Sequence, residues 1–520
     1  MTTTTPGRLA GPAPHRHPSP AGGALVLAAV LVTAVSVLPI VVVLVNALGQ
    51  GWSEAVADVV RPRVWELLRN TVSLVVVSTS ACAVLGVTCA WLVERTGLPG
   101  AGWWRVLLVA PLAVPAFVNA YAWVSLRPAM TGLGGAVLIT TLSYYPLVFL
   151  PVSAALRGLD RSWEDTARSL GLGRWRTFAR IVLPQLRPAV LGGCLLVALH
   201  LLAEFGVLAM LQFPTFTTAI LDQYEAAFDT GTGSVLALVL VALCVAVLTI
   251  EHVWRGRRGH ARIGAGVIRR PEPATLGRWL VPGLSALAVL VVLALGVPVY
   301  SLGHWLTTPG ATVDGSALAA ALGSTIGLAL AAAAVTCVAA FPVALLLRQR
   351  QSAFTTSIER LCYLASSLPG VVVGLALVLL AIRWVTGLYQ SATLLVIAYA
   401  ILFLPRALVA IRTALAQAPG ALLESARALG DSPARAVVRV VVPLALPGIL
   451  AGLALVFMAT TTELTATLLL APTGTQTLAT GFWAASSSLD YGAAAPYAVA
   501  MVLLSAPMTW LLLRQRTVIA

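Results

Sequence analysis

Two glutamates, Glu204 and Glu463, stand 259 positions apart, each inside a long apolar run. An ionisable side chain at such a depth is costly and faces a bundle interior or a water-filled cavity. Their symmetric placement makes both candidates for lining a path through the protein. Upstream of them stand Tyr145 and Tyr399, 254 positions apart. Carboxylates with phenol oxygens nearby form the oxygen-rich set that hard cations prefer. The competing reading is a polar network that ties helices together by hydrogen bonds. His200 lies one helical turn before Glu204 and could pair with it at i,i+4. Other metal-type residues carry less. The cysteines lie in or at the edge of apolar runs without a C-x-x-C spacing and read as small buried hydrophobes. His15 and His17, flanked by prolines, make a weak metal signal.

The elements that must position these groups are membrane helices. The chain has 520 residues, 59% hydrophobic and 10% charged, with a mean hydropathy of +0.92. A soluble domain needs a more polar surface. About 20 consecutive apolar residues cross a bilayer, and twelve candidates reach that length: 24–48, 70–93, 105–126, 134–157, 188–211, 234–254, 280–304, 322–347, 361–382, 391–412, 447–470 and 495–513. The first is too long for a signal-peptide core and lacks a clear cleavage site, so it reads as a helix. Residues 1–23, rich in Thr, Pro, Gly and His, read as a disordered tail.

The spans form a repeat. Tyr145–Pro151 resembles Tyr399–Pro405, Asn70-Thr71 matches Ser324-Thr325, and Pro115 matches Pro369, all at an offset of 254. The offset then rises to 259, so the second copy has five extra residues around Gln417–Gly420. Six spans per copy is an even number, so both halves sit the same way up, related by an axis along the membrane normal. The expected organisation is a first repeat over 24–254, an Arg-rich linker over 255–278, a second repeat over 279–514 and a short tail over 515–520. The fold class is an all-α polytopic membrane protein, with about twelve helices in two parallel six-helix repeats.

All 33 basic residues are arginine. Without lysine the chain has no Walker-type phosphate loop and no Schiff-base chemistry. The net charge of +14 might suggest nucleic acid, but its distribution argues otherwise. With the N-terminus inside, 28 arginines fall in or beside cytoplasmic segments, and only Arg61, Arg63, Arg69, Arg127 and Arg383 fall outside. This is the positive-inside bias of a plasma-membrane protein with both termini in the cytoplasm. The linker charges would face lipid headgroups. No nucleophile–base arrangement, metal-ligand spacing or nucleotide motif stands out, so the chain is not expected to be an enzyme.

A second matched feature lies in the cytoplasm on this topology. Asp165-Thr-Ala-Arg-Ser-Leu-Gly171 is followed, after nine residues, by Ile181-Val-Leu-Pro184. Glu424-Ser-Ala-Arg-Ala-Leu-Gly430 is followed, after nine residues, by Val440-Val-Val-Pro443, again 259 positions on. Gly171 and Gly430 would let the backbone leave a helix. Glu164 with Arg168, and Glu424 with Arg427, could bridge on one helix face. Arg176–Arg180 and Arg435–Arg439 form a basic stripe. Pro184, Pro188, Pro443 and Pro447 are expected to end the cytoplasmic helices.

This pattern is similar to E-A-A-x3-G-x9-I-x-L-P, the signature of membrane subunits of binding-protein-dependent ABC importers. The first copy departs from it at Asp165-Thr166, the second at Ser425, Val440 and Val442. The chain, over roughly 24–520, resembles a fused two-repeat permease with the type I importer fold. The resemblance implies that the loops 160–187 and 419–446 each dock an ATP-binding subunit, through Asp165, Ala167, Arg168, Gly171 and Pro184, and through Glu424, Ala426, Arg427, Gly430 and Pro443. It implies two ATPase subunits, an extracytoplasmic substrate-binding protein and a lipid environment as partners, no nucleic acid, and no cofactor bound by this chain, with ATP used by the partner. The segments after Glu204 and Glu463 resemble those of permeases for ferric iron, with thiamine and polyamine permeases as near relatives. Asp222, Glu225, Asp229 and Asp490, in the outward loops, could meet basic residues of the binding protein. An ion-coupled secondary transporter is the alternative from another class, and it leaves the two matched loops unexplained.

Overall fold

The computed structural model describes residues 22–159, 162–225, 229–255, 275–308, 314–349, 352–365, 368–417 and 420–515. All but the last two residues of the expected N-terminal tail, all but the edges of the Arg-rich linker, most of the C-terminal tail and two of the five inserted residues lie outside them. Among the described residues the chain is helical and contains no strand.

Helices stand at the twelve expected places, but the span expected over 361–382 is divided between Ala353–Ala365 and Gly370–Trp384, the second starting after Pro369. Among the described residues nine helices are long and apolar enough to cross a membrane: Gly23–Leu48, Pro62–Arg95, Gly132–Gly158, Phe178–Ala203, Thr230–Trp254, Gly277–Thr307, Gly315–Gln349, Ala392–Gln417 and Ala434–Thr461. A tenth, Ala101–Ala113 with Ala116–Leu126, bends by 88° just before Pro115. Proline removes a backbone donor and disfavours helix in the residue before it. The shorter apolar helices Gly370–Trp384 and Tyr491–Pro507 occupy the remaining two places.

The spans expected over 188–211 and 447–470 are not continuous. The first helix stops at Ala203 and a short one, Gly206–Met210, follows. The second stops at Thr461 and is followed by Thr465–Leu470. Glu204 and Glu463 stand in the breaks. The prolines meet the opposite correction. The helices run on through a widened turn at Phe178–Val182 and Val437–Val441, directly before Pro184 and Pro443. Such a π-turn absorbs a ring that would clash within a regular α-helix.

The first long helix of each half crosses to the other half. Gly23–Leu48 packs in the second-half core, where Thr33 contacts Cys362 at 3.5 Å. Gly277–Thr307 places Leu287, Leu290 and Ala294 in the first-half core, and Ser301 bonds Ser125 at 3.0 Å. A third apolar cluster joins the halves through Phe117, Phe205, Phe482 and Met501. With lipid outside, close packing at small residues drives such association. A Cβ on Gly193 would lie 2.8 Å from the Val148 Cα.

The repeat is visible in its polar devices. The Thr71 hydroxyl accepts from the Phe216 amide at 3.4 Å, and its counterpart Thr325 accepts from Leu478 at 2.8 Å. Each satisfies the first amide of a short helix, Phe216–Glu225 or Leu478–Ser487.

Candidate translocation pathway and coupling loops

Each broken helix leaves amides at the start of the short helix that follows, and the glutamate in the break takes them. One carboxylate oxygen of Glu204 accepts from the Val207 amide at 3.1 Å, and the other accepts from the Tyr144 hydroxyl. Glu463 accepts from the amides of Ala466 and Thr467 at 3.0 and 3.1 Å, and from the Thr467 hydroxyl at 3.0 Å. Negative charge is favoured at a helix N-terminus.

The two glutamates then diverge. Glu204 lines a cavity of about 360 Å³ between the halves. Tyr144 and His200 face it from the first half, Arg406 and Thr462 from the second. Glu463 is not among its lining residues; its carboxylate lies against the backbone of Gly370, where a Cβ would stand 2.7 Å away.

The tyrosines named from the repeat are not the ones that serve Glu204. Tyr145 is fully buried in the first-half core, and its hydroxyl meets no hydrogen-bond partner among the described residues. Its neighbour Tyr144 reaches the carboxylate instead. Tyr399 is also buried, and its hydroxyl bonds that of Thr467 at 2.7 Å, one step from Glu463. The helix turns each residue by about 100°, so one step in sequence separates a core position from a cavity position. His200 does not pair with Glu204; its Nδ1 donates to the Leu196 carbonyl at 2.8 Å. That bond leaves Nε2 as the ring's other functional atom.

Sequence reasoning missed Arg406, counting it with the cytoplasmic arginines. It lies well inside helix Ala392–Gln417, exposed to the cavity, with its guanidinium 5.1 Å from the Phe403 ring. An arginine within the apolar run 391–412 was the available signal.

Aromatic rings close one end of the cavity. Phe117 lines it and packs at a 45° tilt 5.4 Å from Phe482, which meets Tyr121 edge to face at 5.3 Å. Beyond the plug lies a second cavity of about 220 Å³, lined by Tyr121, Gln212, Trp483 and Tyr491. On that face two of the four acids named as docking contacts act as caps. Asp229 accepts from the amides of Gly231 and Thr232 at 3.1 and 3.0 Å, and Asp490 from that of Ala493 at 2.9 Å. The bond from Thr232, foremost, holds the Asp229 carboxyl below its usual range. Asp222 is exposed on helix Phe216–Glu225, and the Glu225 side chain lies outside the described residues.

At the far end stand the matched loops. Helices Ser162–Ser169 and Gly420–Ala428 end at Gly171 and Gly430, whose φ angles are +82° and +95°. The Leu172 amide returns to the Ala167 carbonyl at 3.0 Å, and that of Asp431 to Ala426 at 3.1 Å. This left-handed cap strains any residue with a Cβ. Ala167 is buried, Ala426 and Arg427 are half-buried, and Glu424, Pro184 and Pro443 are exposed. The side chains of Asp165 and Arg168 lie outside the described residues. Glu164 does not need Arg168, because it forms a buried ion pair with Arg95 at 2.8 Å. Before each glycine stands a leucine that the sequence reading passed over: Leu170 is 79% exposed and Leu429 89%. Arg176, Arg180, Arg435 and Arg439 are exposed beside them.

The sequence profile of the binding-protein-dependent transport system inner membrane components matches residues 83–254 and 338–517. The chain belongs to that family. It is a multi-pass permease of binding-protein-dependent transport, matched once in each half. The Fe(3+)-transport system permease protein FbpB 2 of Haemophilus influenzae is 37% identical over 480 residues, covering 91% of this chain and 95% of that protein. The molybdenum transport system permease protein ModB of Escherichia coli is 29% identical over 219 residues, 37% of this chain and 95% of the relative. The sulfate transport system permease protein CysT of Escherichia coli is 25% identical over 248 residues, 44% of this chain and 89% of the relative. Among the described residues no three or more His, Cys, Asp or Glu side chains group so as to hold a metal ion.

Proposed function

We propose that this permease imports ferric iron delivered by an extracytoplasmic binding protein and is driven by two separate ATPase subunits. The observation that carries the cargo is the 37% identity to an Fe(3+)-transport permease across 91% of this chain, both halves included. The sulfate and molybdenum relatives match 44% and 37% of it. Thiamine or polyamine cargo, and ion-coupled transport, draw no support from these relatives.

The ATPases dock on the two matched loops. Leu170 and Leu429 are the apolar tips, and a large exposed apolar side chain held by a rigid cap fits a partner's groove. Gly171 and Gly430 fix the angle of each tip. Arg176, Arg180, Arg435 and Arg439 add charge at the rim. The buried Arg95–Glu164 pair ties the first loop to helix Pro62–Arg95, so a push on the loop moves a membrane helix.

The cavity between the halves is the path, with Glu204 on its wall. The Phe117–Phe482–Tyr121 cluster, whose rings pack tilted and edge to face, is the outer gate. ATP-driven closure of the ATPases would bring the loops together, part the halves at the cluster and let cargo pass from the docked binding protein. Hydrolysis then restores the closed gate.

The test is uptake of radiolabelled ferric iron in iron-starved cells lacking the gene, with and without a plasmid copy, beside labelled molybdate and sulfate. Iron uptake that is lost and then restored by the plasmid is the expected result. Loss of molybdate or sulfate uptake instead would reassign the cargo.

A further inference from the structure

Arg406 gives the cavity a positive group that a path for a bare cation has no use for. The position does not demand it: the counterpart 254 residues earlier is Val152, fully buried in the first-half core. Nor does Arg406 serve as a structural tie. Among the described residues no carboxylate lies within ion-pair distance of its guanidinium, which overlies the Phe403 ring. The other charged group on the cavity wall, Glu204, has its oxygens taken by the Val207 amide and the Tyr144 hydroxyl. An arginine inside a membrane helix is costly and faces a functional cavity.

A trivalent ion entering alone would meet a like charge where water screens it poorly. An ion that keeps an oxyanion in its coordination shell would not. The guanidinium fork matches two oxygens of a phosphate or a carboxylate, and it is always charged. The cavity, at about 360 Å³, has room for an ion with such a ligand.

We propose that iron crosses this permease together with a coordinated oxyanion, which Arg406 holds in the central cavity. The inference rests on the iron reading above.

Its test uses the complete complex, permease with ATPases, in liposomes holding ATP, in carbonate-free buffer. Binding protein outside is loaded with ⁵⁵Fe and either ³²P-phosphate or ¹⁴C-citrate. The expected result is ATP-dependent entry of iron with one of the two labels in about equal amount. Arg406→Met should cut entry of both about tenfold, and Arg406→Lys should restore part of it. Iron entering with neither label, or at an unchanged rate in Arg406→Met, would overturn the inference and leave the iron importer standing. No entry of iron while labelled molybdate or sulfate enters would overturn the iron reading, and this inference with it.

Discussion

The two halves agree where backbone groups must be satisfied and differ at the cavity between them. Thr71 and Thr325 cap equivalent short helices, and Gly171 and Gly430 make equivalent left-handed turns. Between the halves, however, Glu204 faces the cavity while Glu463 is folded against Gly370. Val152 packs in a core where Arg406 faces the cavity. The order of charges also reverses between the halves. Glu94 pairs with Arg105 at 3.0 Å, and 254 positions on stand Arg348 and Glu359, where Glu359 takes Arg412. A duplicated scaffold has thus kept its capping devices and become asymmetric at the wall of the central cavity. Two loops of one shape can engage two similar ATPases, whereas a cargo without twofold symmetry is better met by unlike walls.

The sharpest way to break this comparison is at the loops, where the halves are expected to act alike. Leu170→Asp with Leu429→Asp should abolish co-purification of the ATPase and reduce uptake to background, and each single change should weaken both. Full ATPase retention in the double variant would exclude these tips as the docking surface. The next effect is at the helix crossings. Gly193→Ala drives a methyl to 2.8 Å from the Val148 Cα, whereas the matched Gly452→Ala meets Ala407 at 3.4 Å. Overpacking costs about 1–3 kcal/mol, so Gly193→Ala should lower the thermal midpoint in detergent distinctly and Gly452→Ala little. Thr71→Val and Thr325→Val each remove an acceptor worth about 1 kcal/mol. The larger loss is expected at Thr325, whose bond is shorter, and amide exchange at Leu478 against Phe216 reads it out. The smallest effect is Asp229→Asn, about 0.3–1 kcal/mol for a charge at a helix start. Because the folded carboxyl titrates below its usual range, its contribution is present above about pH 4 and fades as pH falls through the lowered value. A midpoint difference between wild type and Asp229→Asn that persists below that pH would contradict this.

Fold class, the two-repeat organisation and the matched loops were legible because each rests on local pattern: apolar length, turn glycines and a constant offset. The broken helices were not, since an apolar run with one glutamate reads as a continuous span until the unsatisfied amides after the break are counted. Tyr145 was chosen because the repeat matched it to Tyr399, yet facing depends on helix rotation, which an offset does not carry. Arg406 escaped because the positive-inside rule sorts arginines by loop and says nothing of one facing a cavity. The exposure of Leu170 and Leu429 needed coordinates, since a leucine before a glycine is ordinarily a buried helix end.

The most direct test of the asymmetric path is iron uptake per assembled complex for Glu204→Gln and Glu463→Gln, each normalised to the ATPase retained on the purified permease. The account predicts that Glu204→Gln lowers the rate per complex about tenfold at normal yield. Glu463→Gln should instead lower the yield, with the rate per complex kept. Equal losses of rate in the two variants would contradict it and return both carboxylates to a symmetric role.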